Sequence, residues 1–199
     1  MSIVIAASRN KHKIAEIERI TKLFNMEVIS RDEAGIPPFE IEENGMTFEE
    51  NSLIKAEKIM KYSGKITIAD DSGLMVDYLG GAPGIYSARF AGDEADDDKN
   101  NAKLLALLED VPYKERKATF VSVITLLYPD GQKLVAKGQC HGHIIDEPEG
   151  QNGFGYDPLF VPDGYQRTFA QLTDDEKNKI SHRAKALKEL ERLLKERKI

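Results

Sequence analysis

The first third of the chain alternates between short apolar runs and apolar residues at helical spacing. Ile-Val-Ile-Ala-Ala at 3–7 is typical of a buried strand. Apolar residues about every three positions then predict a helix over 11–24. A second short strand follows at 27–30, and the proline pair at 37–38 forces a loop.

A capped helix and a third strand continue this alternation. Thr47 and Glu50 form a capping box, which opens a helix that stops at Gly64. A buried strand at 67–69 follows and is predicted to end on Asp-Asp-Ser-Gly at 70–73. The order strand, helix, strand, helix, strand predicts a parallel-type α/β sheet with ligand groups at strand ends.

The rest of the chain has a different pattern. It predicts a helix over 97–109, a hairpin of strands at 118–128 and 132–142, a glycine-rich loop at 150–157 and an amphipathic C-terminal helix. No repeat, low-complexity tract or linker interrupts it. We therefore predict a single domain over 1–199, compact or divided into two lobes.

Composition and charge restrict the classes of function. Apolar residues make up 41% of the chain and charged residues 31%, as in an ordinary soluble protein. The net charge of −6 argues against binding a polynucleotide, because such proteins need a basic face, but it permits a small anionic ligand. Cys140 is the only cysteine, and no segment could cross a membrane or serve as a signal peptide. These features predict a cytoplasmic protein.

The segment at 8–13 lies where a strand turns into a helix. Free N–H groups at a helix N-terminus attract anions, and Ser8, Asn10 and Lys13 can add side-chain donors. Plain helix capping with solvated lysines is the alternative. However, three cations at a helix start oppose the helix dipole, which favours an anion there.

Adjacent carboxylates at Asp70 and Asp71 provide oxygen ligands of the kind that Mg²⁺ prefers. Side chains alternate in direction along a strand, so only one of the two can face a given cleft. Glu42 and Glu43 could supply a second carboxylate. The alternatives are an Asp-Ser-Gly turn at the strand end and a solvated acidic loop.

Gly-Phe-Gly-Tyr-Asp-Pro at 153–158 places aromatic residues between glycines. Phe154 could stack on a base while Asp157 reads its edge, although a tight turn packed by Phe154 is also consistent with the pattern. The densest acidic run, at 93–98, precedes a helix, where acidic residues suit the dipole, and we interpret it as surface.

The last polar group comprises Lys177, His182 and Arg183. A straight helix would point Lys177 and Arg183 in different directions, because each residue turns the helix by ~100°. If they meet one ligand, the helix must break, most plausibly at Ser181 acting as a new N-cap. A solvated helix face is the alternative.

Six of these segments, in order along the chain, resemble the inosine triphosphate pyrophosphatase family, and the bacterial xanthosine/deoxyinosine triphosphate pyrophosphatases in particular. Ser8 stands where the family commonly has Thr, which preserves the hydroxyl. The segments are Ser8-Arg9-Asn10-Lys11-His12-Lys13, Glu42-Glu43-Asn44-Gly45-Met46-Thr47-Phe48, Ala69-Asp70-Asp71-Ser72-Gly73-Leu74, Gly80-Gly81-Ala82-Pro83-Gly84-Ile85-Tyr86-Ser87-Ala88-Arg89, Gly153-Phe154-Gly155-Tyr156-Asp157-Pro158 and Leu172-Thr173 through Lys177 to Arg183.

The resemblance implies a two-lobed α/β fold with a long central mixed β-sheet flanked by helices, an active-site groove between the lobes, and a homodimer. It also implies Mg²⁺-dependent hydrolysis of non-canonical purine nucleoside triphosphates (ITP, dITP, XTP) to the monophosphate and pyrophosphate. A hydrolase of pyrimidine or modified nucleotides and a non-enzymatic nucleotide sensor are the alternatives. Retention of Glu42 and Asp71 argues against the sensor.

The same resemblance assigns roles to individual residues. Glu42 and Asp71 are expected to hold Mg²⁺, and Asp71 is either the acceptor of a proton from the attacking water or only a metal ligand. Lys55 is a further, less certain, phosphate ligand. The residues expected to bind substrate are Ser8, Arg9, Asn10, Lys11, His12, Lys13, Ser72, Phe154, Gly155, Tyr156, Asp157, Lys177, His182 and Arg183.

Overall fold

The computed structural model describes residues 2–8, 11–92 and 96–197, without the side chains at 11 and 12. Contacts divide the chain into two compact units. The first comprises Met1–Asp71, Ser122–Lys137 and Ala186–Ile199, and the second comprises Ser72–Val121 and Gly138–Lys185. That the whole chain forms one domain stays a prediction.

The described residues form one mixed sheet and five α-helices. The sheet has the order β2-β1-β3-β4-β5-β6, in which β1 is parallel to β2 and β3 while β5 is antiparallel to β6. No helix among these residues is long and apolar enough to cross a membrane. The strands are β1 (Ser2–Ala6), β2 (Met26–Ser30), β3 (Ile66–Val76), β4 (Lys117–Leu127), β5 (Lys133–Ile144) and β6 (Phe160–Pro162); the helices are α1 (Lys11–Thr21), α2 (Phe48–Ser63), α3 (Asp97–Leu107), α4 (Asp174–Ile180) and α5 (His182–Arg197).

Alternation along β1 explains how the first unit packs. Val4 and Ala6 belong to a core cluster with residues of α1 and α5, whereas Ile5 and Ala7 belong to a second cluster with residues of α2. Successive side chains of a strand point to opposite faces, so both faces of β1 are covered by helices. This is why the strand consists of continuous apolar residues. The mixed α/β sheet flanked by helices is confirmed.

Strand β3 is longer than the sequence predicted. It runs through Asp70 and Gly73 to Val76, so the predicted strand end is wrong, as is the Asp-Ser-Gly turn. A Cβ on Gly73 would lie 2.4 Å from Ser87 Oγ and 2.5 Å from Gly84 O. The Ser87 hydroxyl accepts a hydrogen bond from Leu74 N at 2.9 Å and donates to Gly84 O at 2.6 Å. Glycine here allows a neighbouring segment to approach the strand, rather than ending it.

The second unit has its own apolar cluster, centred on aromatic rings. Phe120 packs edge-on against Phe160, with ring centroids 4.8 Å apart, and Phe160 packs against Phe169 at 5.0 Å. The His182 ring stacks on Phe120 at 4.8 Å. Such contacts stabilise the core beyond the burial of area alone.

Candidate active site

Asp70 fixes the position of Lys13 in the first unit. Lys13 Nζ lies 2.7 Å from Asp70 Oδ2, and the Asp70 side chain is fully buried. The Ser122 hydroxyl donates to Asp70 Oδ1 at 2.6 Å. A buried carboxylate needs such partners, because an unpaired buried charge is very costly. Lys13 is therefore held by a carboxylate that is itself fixed by the neighbouring strand.

Asp71, the next residue on the strand, pairs with a different lysine from Asp70. Lys55 Nζ lies 2.6 Å from Asp71 Oδ1 and 3.1 Å from Glu43 Oε2. Burial alone would lower the pKa of Lys55, but the charges of Asp71 and Glu43 outweigh it and raise the pKa. Burial also raises the pKa of Asp71, and the attraction of Lys55 offsets only part of this effect. One ammonium group thus bridges two carboxylates.

A cavity of about 280 Å³ in the first unit is lined by Lys13, Asp70, Lys55 and Glu43, among others. Its cations offer donors for phosphate oxygens, and its carboxylates hold those cations in place. The lining residues are Ala7, Ser8, Lys13, Arg31, Ile41, Glu43, Lys55 and Asp70.

The structure places the adjacent residues Glu42 and Glu43 in different surroundings. Glu42 lines a neighbouring cavity of about 350 Å³, together with Glu40, Glu57 and Lys58. Glu43, which the sequence analysis left as an alternative, shares Lys55 with Asp71 instead. Glu43 is therefore the glutamate whose contact with the Lys55–Asp71 pair is observed.

A metal ion at this place would need ligands besides protein side chains. Among the described residues, no group of three or more His, Cys, Asp or Glu residues could hold a metal ion by itself. Asp71 Oδ2 is buried and has no hydrogen-bond partner within the part of the chain that the structure describes. A buried carboxylate oxygen of this kind is a suitable ligand for a hard cation that keeps substrate or water oxygens around it.

The loop 153–157 forms the predicted base-binding region in the second unit. The Phe154 ring is 43% exposed. Lys177 Nζ lies 5.1 Å from its centroid and Arg183 Cζ 5.9 Å. Asp157 Oδ2 accepts from Phe154 N at 2.9 Å and lies 2.5 Å from Lys177 Nζ. Burial raises the pKa of Asp157, and Lys177 counteracts this in part.

The predicted helix break at Ser181 is confirmed. Helix α4 ends at Ile180, and Ser181 has an extended conformation with φ −63° and ψ 158°. Its hydroxyl accepts from Ala184 N at 3.2 Å, so it caps the start of α5. The break redirects the chain between Lys177 and the first residues of α5.

The break sends His182 and Arg183 to different surroundings. Arg183 Nη2 donates to Ser72 Oγ at 3.2 Å, and its guanidinium lies near Phe154. His182 is buried in the aromatic cluster on Phe120. Arg183 is thus beside the predicted base-binding loop, while His182 packs as a core residue behind it.

Sequence reasoning missed the residues that hold this loop. Asp97, which we had assigned to surface, accepts from Gly155 N at 2.7 Å, and Asn101 donates to Gly155 O at 3.0 Å. The Tyr156 hydroxyl donates to Ser87 O at 2.8 Å. Burial, aided by the charge of Asp97, raises the pKa of Tyr156. Only the spacing of four between Asp97 and Asn101 signalled that they share a helix face.

Part of the predicted phosphate-binding segment lies outside the described residues. This applies to Arg9 and Asn10 entirely, and to the side chains of Lys11 and His12. Ser8 and Lys13, at the two ends of the segment, both line the cavity.

The described residues form an α/β protein in which buried lysine–carboxylate pairs lie on an open mixed sheet. The Ham1 family model matches residues 4–193, and the chain belongs to this family. It is 52% identical to the dITP/XTP pyrophosphatase of Clostridium perfringens over 98% of both chains, and 50% identical to that of Bacillus licheniformis over 98% of both. The resemblance inferred from the six segments is confirmed.

Solved structures agree with the fold. The Ham1 protein of Staphylococcus aureus superimposes with a TM-score of 0.90 at 43% identity, covering 98% of this chain and 99% of that one. A nucleoside-triphosphatase / dITP/XTP pyrophosphatase from Mycobacterium abscessus gives 0.80 at 45% identity, covering 94% and 97%.

Proposed function

We propose that this chain hydrolyses non-canonical purine nucleoside triphosphates (ITP, dITP and XTP) to the nucleoside monophosphate and pyrophosphate. Relatives about 50% identical over nearly the whole chain are named dITP/XTP pyrophosphatases. The observation that carries the proposal is the cavity in which Lys13 and Lys55 are each held by a strand carboxylate. Fixed ammonium groups of this kind suit the outer phosphates of a triphosphate.

The two carboxylates that pair with Lys55, a residue lining this cavity, fit a magnesium ion. Asp71 Oδ2 is a buried oxygen without a partner among the described residues, and Glu43 shares a cation with Asp71. We propose Asp71 as one ligand; the second is Glu42 by the family resemblance, or Glu43 by the Lys55 contact that it shares with Asp71. When bound, the ion neutralises phosphate oxygens and polarises the phosphorus that water attacks.

Side chains of the protein bind the phosphate oxygens and the attacking water. Lys13, Lys55 and the Ser8 hydroxyl donate to phosphate oxygens and stabilise the pyrophosphate that leaves. Asp71 holds the attacking water or takes its proton.

The base is recognised by the loop in the second unit. Phe154 offers an exposed ring for stacking, and Lys177 and Arg183 offer donors to a 6-keto oxygen. A 6-amino group would bring a donor against these cations and leave buried polar groups unmatched, which is costly. This disfavours adenosine triphosphate.

Product analysis tests the reaction. Incubation with inosine triphosphate and Mg²⁺ should release the monophosphate and pyrophosphate in equal amounts. Diphosphate and orthophosphate as products would refute cleavage between the α and β phosphorus atoms. Rates on a panel that includes pyrimidine and modified nucleotides distinguish this activity from that of the alternative hydrolase. Binding of inosine triphosphate without turnover would indicate a nucleotide sensor.

The resemblance supports three further proposals, namely a homodimer, a cytoplasmic location and one groove for the whole substrate. Sedimentation at several protein concentrations tests the dimer.

A further inference from the structure

Helix α3 binds both backbone polar groups of Gly155. Asp97 Oδ2 accepts from its N–H at 2.7 Å, and Asn101 Nδ2 donates to its C=O at 3.0 Å. The two side chains are four residues apart and therefore lie on the same face of the helix. A single residue of the loop is held from two sides.

The Phe154 ring depends on such backbone contacts for its position. Because the ring is 43% exposed, packing alone does not fix it. Asp157 holds the Phe154 N–H, and a Cβ on Gly153 would lie 2.1 Å from the same carboxylate. Gly155 has φ +62°, a conformation that favours glycine. The backbone is thus held on both sides of the ring.

Ordinary helix capping does not account for Asp97. The N-cap of α3 is Asp96, whose side chain accepts from Lys99 N at 3.0 Å. Asp98 is a second acidic residue in the same first turn and serves the helix dipole equally well. Asp97 alone among these three residues has a hydrogen bond to the loop in the described structure.

Asn101 has the burial expected of a structural partner. It is 8% exposed; its Nδ2 donates to Gly155 O, while its Oδ1 is buried without a hydrogen-bond partner among the described residues. Its contact with Gly155 joins two segments that are 54 positions apart in the sequence.

We propose that Asp97 and Asn101 are positioning residues for base recognition, which fix the Gly155 peptide groups and so hold the Phe154 ring where a purine stacks. The inference rests on the proposed function, because it assigns these residues to the base-binding part of that site. It also predicts that their loss affects purine binding and leaves phosphate binding intact.

Asp97→Ala is the decisive variant, since Asp97 is exposed and the freed Gly155 N–H can bind water. Asp98→Ala is the matched control, because it removes the same charge from the same turn of α3. Asp97→Asn keeps an acceptor oxygen and serves as the rescue. Three quantities are measured: kcat and KM for inosine triphosphate, inhibition by pyrophosphate, and hydrogen exchange of the Gly155 amide.

Asp97→Ala should raise the KM for inosine triphosphate about tenfold, as expected for one charge-assisted hydrogen bond, with little change in kcat. Inhibition by pyrophosphate should not change, Gly155 exchange should accelerate, and Asn101→Asp should act in the same direction. Asp97→Asn should restore most of the KM, and Asp98→Ala should match the wild type.

Equal KM values for Asp97→Ala and Asp98→Ala would overturn the inference. So would unchanged Gly155 exchange in Asp97→Ala, or a parallel loss of pyrophosphate inhibition. A wild-type protein that neither hydrolyses nor binds inosine triphosphate would instead refute the proposed function, and the inference with it.

Discussion

The lysines of the two units are held in contrasting ways. Lys13 and Lys55 pair with carboxylates on consecutive positions of a regular strand. Lys177 pairs with Asp157 on an irregular loop and lies over an exposed ring. A strand inside a sheet moves little, so the first arrangement suits fixed charge. The second depends on side-chain hydrogen bonds to a loop, and it suits recognition of shape.

The largest effect should come from Asp71 on the strand. Asp71→Asn removes a charged oxygen and a proton acceptor, so kcat should fall about 10²–10⁴-fold while the fold persists. Steady-state rates and circular dichroism check this. Near-normal turnover in this variant would show that Asp71 is dispensable. It would contradict the view that the strand carboxylates hold the catalytic charges.

Arg183→Ala tests the contribution of the loop 153–157 and its neighbours to recognition of the base. Loss of one charge-assisted hydrogen bond costs on the order of 1.5–3 kcal/mol, or about one to two decades in selectivity. The ratio of kcat/KM for inosine and adenosine triphosphates should fall accordingly, with pyrophosphate inhibition unchanged. An unaffected ratio would place the specificity element elsewhere.

Glu43→Gln and Glu42→Gln sharpen the assignment on the strand side. Because Glu43 shares Lys55 with Asp71, its loss should raise the Mg²⁺ concentration for half-maximal rate about tenfold. Glu42→Gln is the matched control and should change it less. Magnesium titrations of both variants measure this concentration. A larger increase in Glu42→Gln than in Glu43→Gln would support Glu42, the ligand implied by the family resemblance.

The smallest effect concerns the short helix that carries Lys177. Hydrogen bonds from Arg167, and then from the Thr173 backbone, lower the pKa of Glu176 from the ordinary glutamate value of 4.5 to about 2. Its contribution to stability is therefore present above about pH 4.5 and lost as the pH falls towards about 2. Carboxyl chemical shifts should report this low midpoint, and Arg167→Ala should raise it without changing pyrophosphate inhibition.

Local signals in the sequence predicted much of this molecule correctly. Thr47 does cap α2 by accepting from Glu50 N. Ser181 was predicted as a break because a straight helix could not bring Lys177 and Arg183 to one ligand. Each of these inferences needed only residues within a few positions of each other.

Contacts between distant segments could not be predicted in this way. Strand β3 continues past Asp71 because Ser87 satisfies the backbone beyond Gly73, and nothing near Gly73 in the sequence shows this. Asp97 looked like one acid among several because its partner, Gly155, is 58 positions away. The choice between Glu42 and Glu43 likewise depended on where Lys55 points.

The pairing of lysines with carboxylates has a consequence for which molecules enter the cavity. Among the described residues of this site, Lys13 pairs with Asp70, and Lys55 pairs with Asp71 and Glu43, so both ammonium charges are neutralised. A bare polyanion gains little long-range attraction from a neutral set of groups. A triphosphate that arrives with its own counter-cation offers the carboxylates a new partner and frees the ammonium groups for its oxygens. We therefore expect these groups to favour a triphosphate that carries its counter-cation over a bare one.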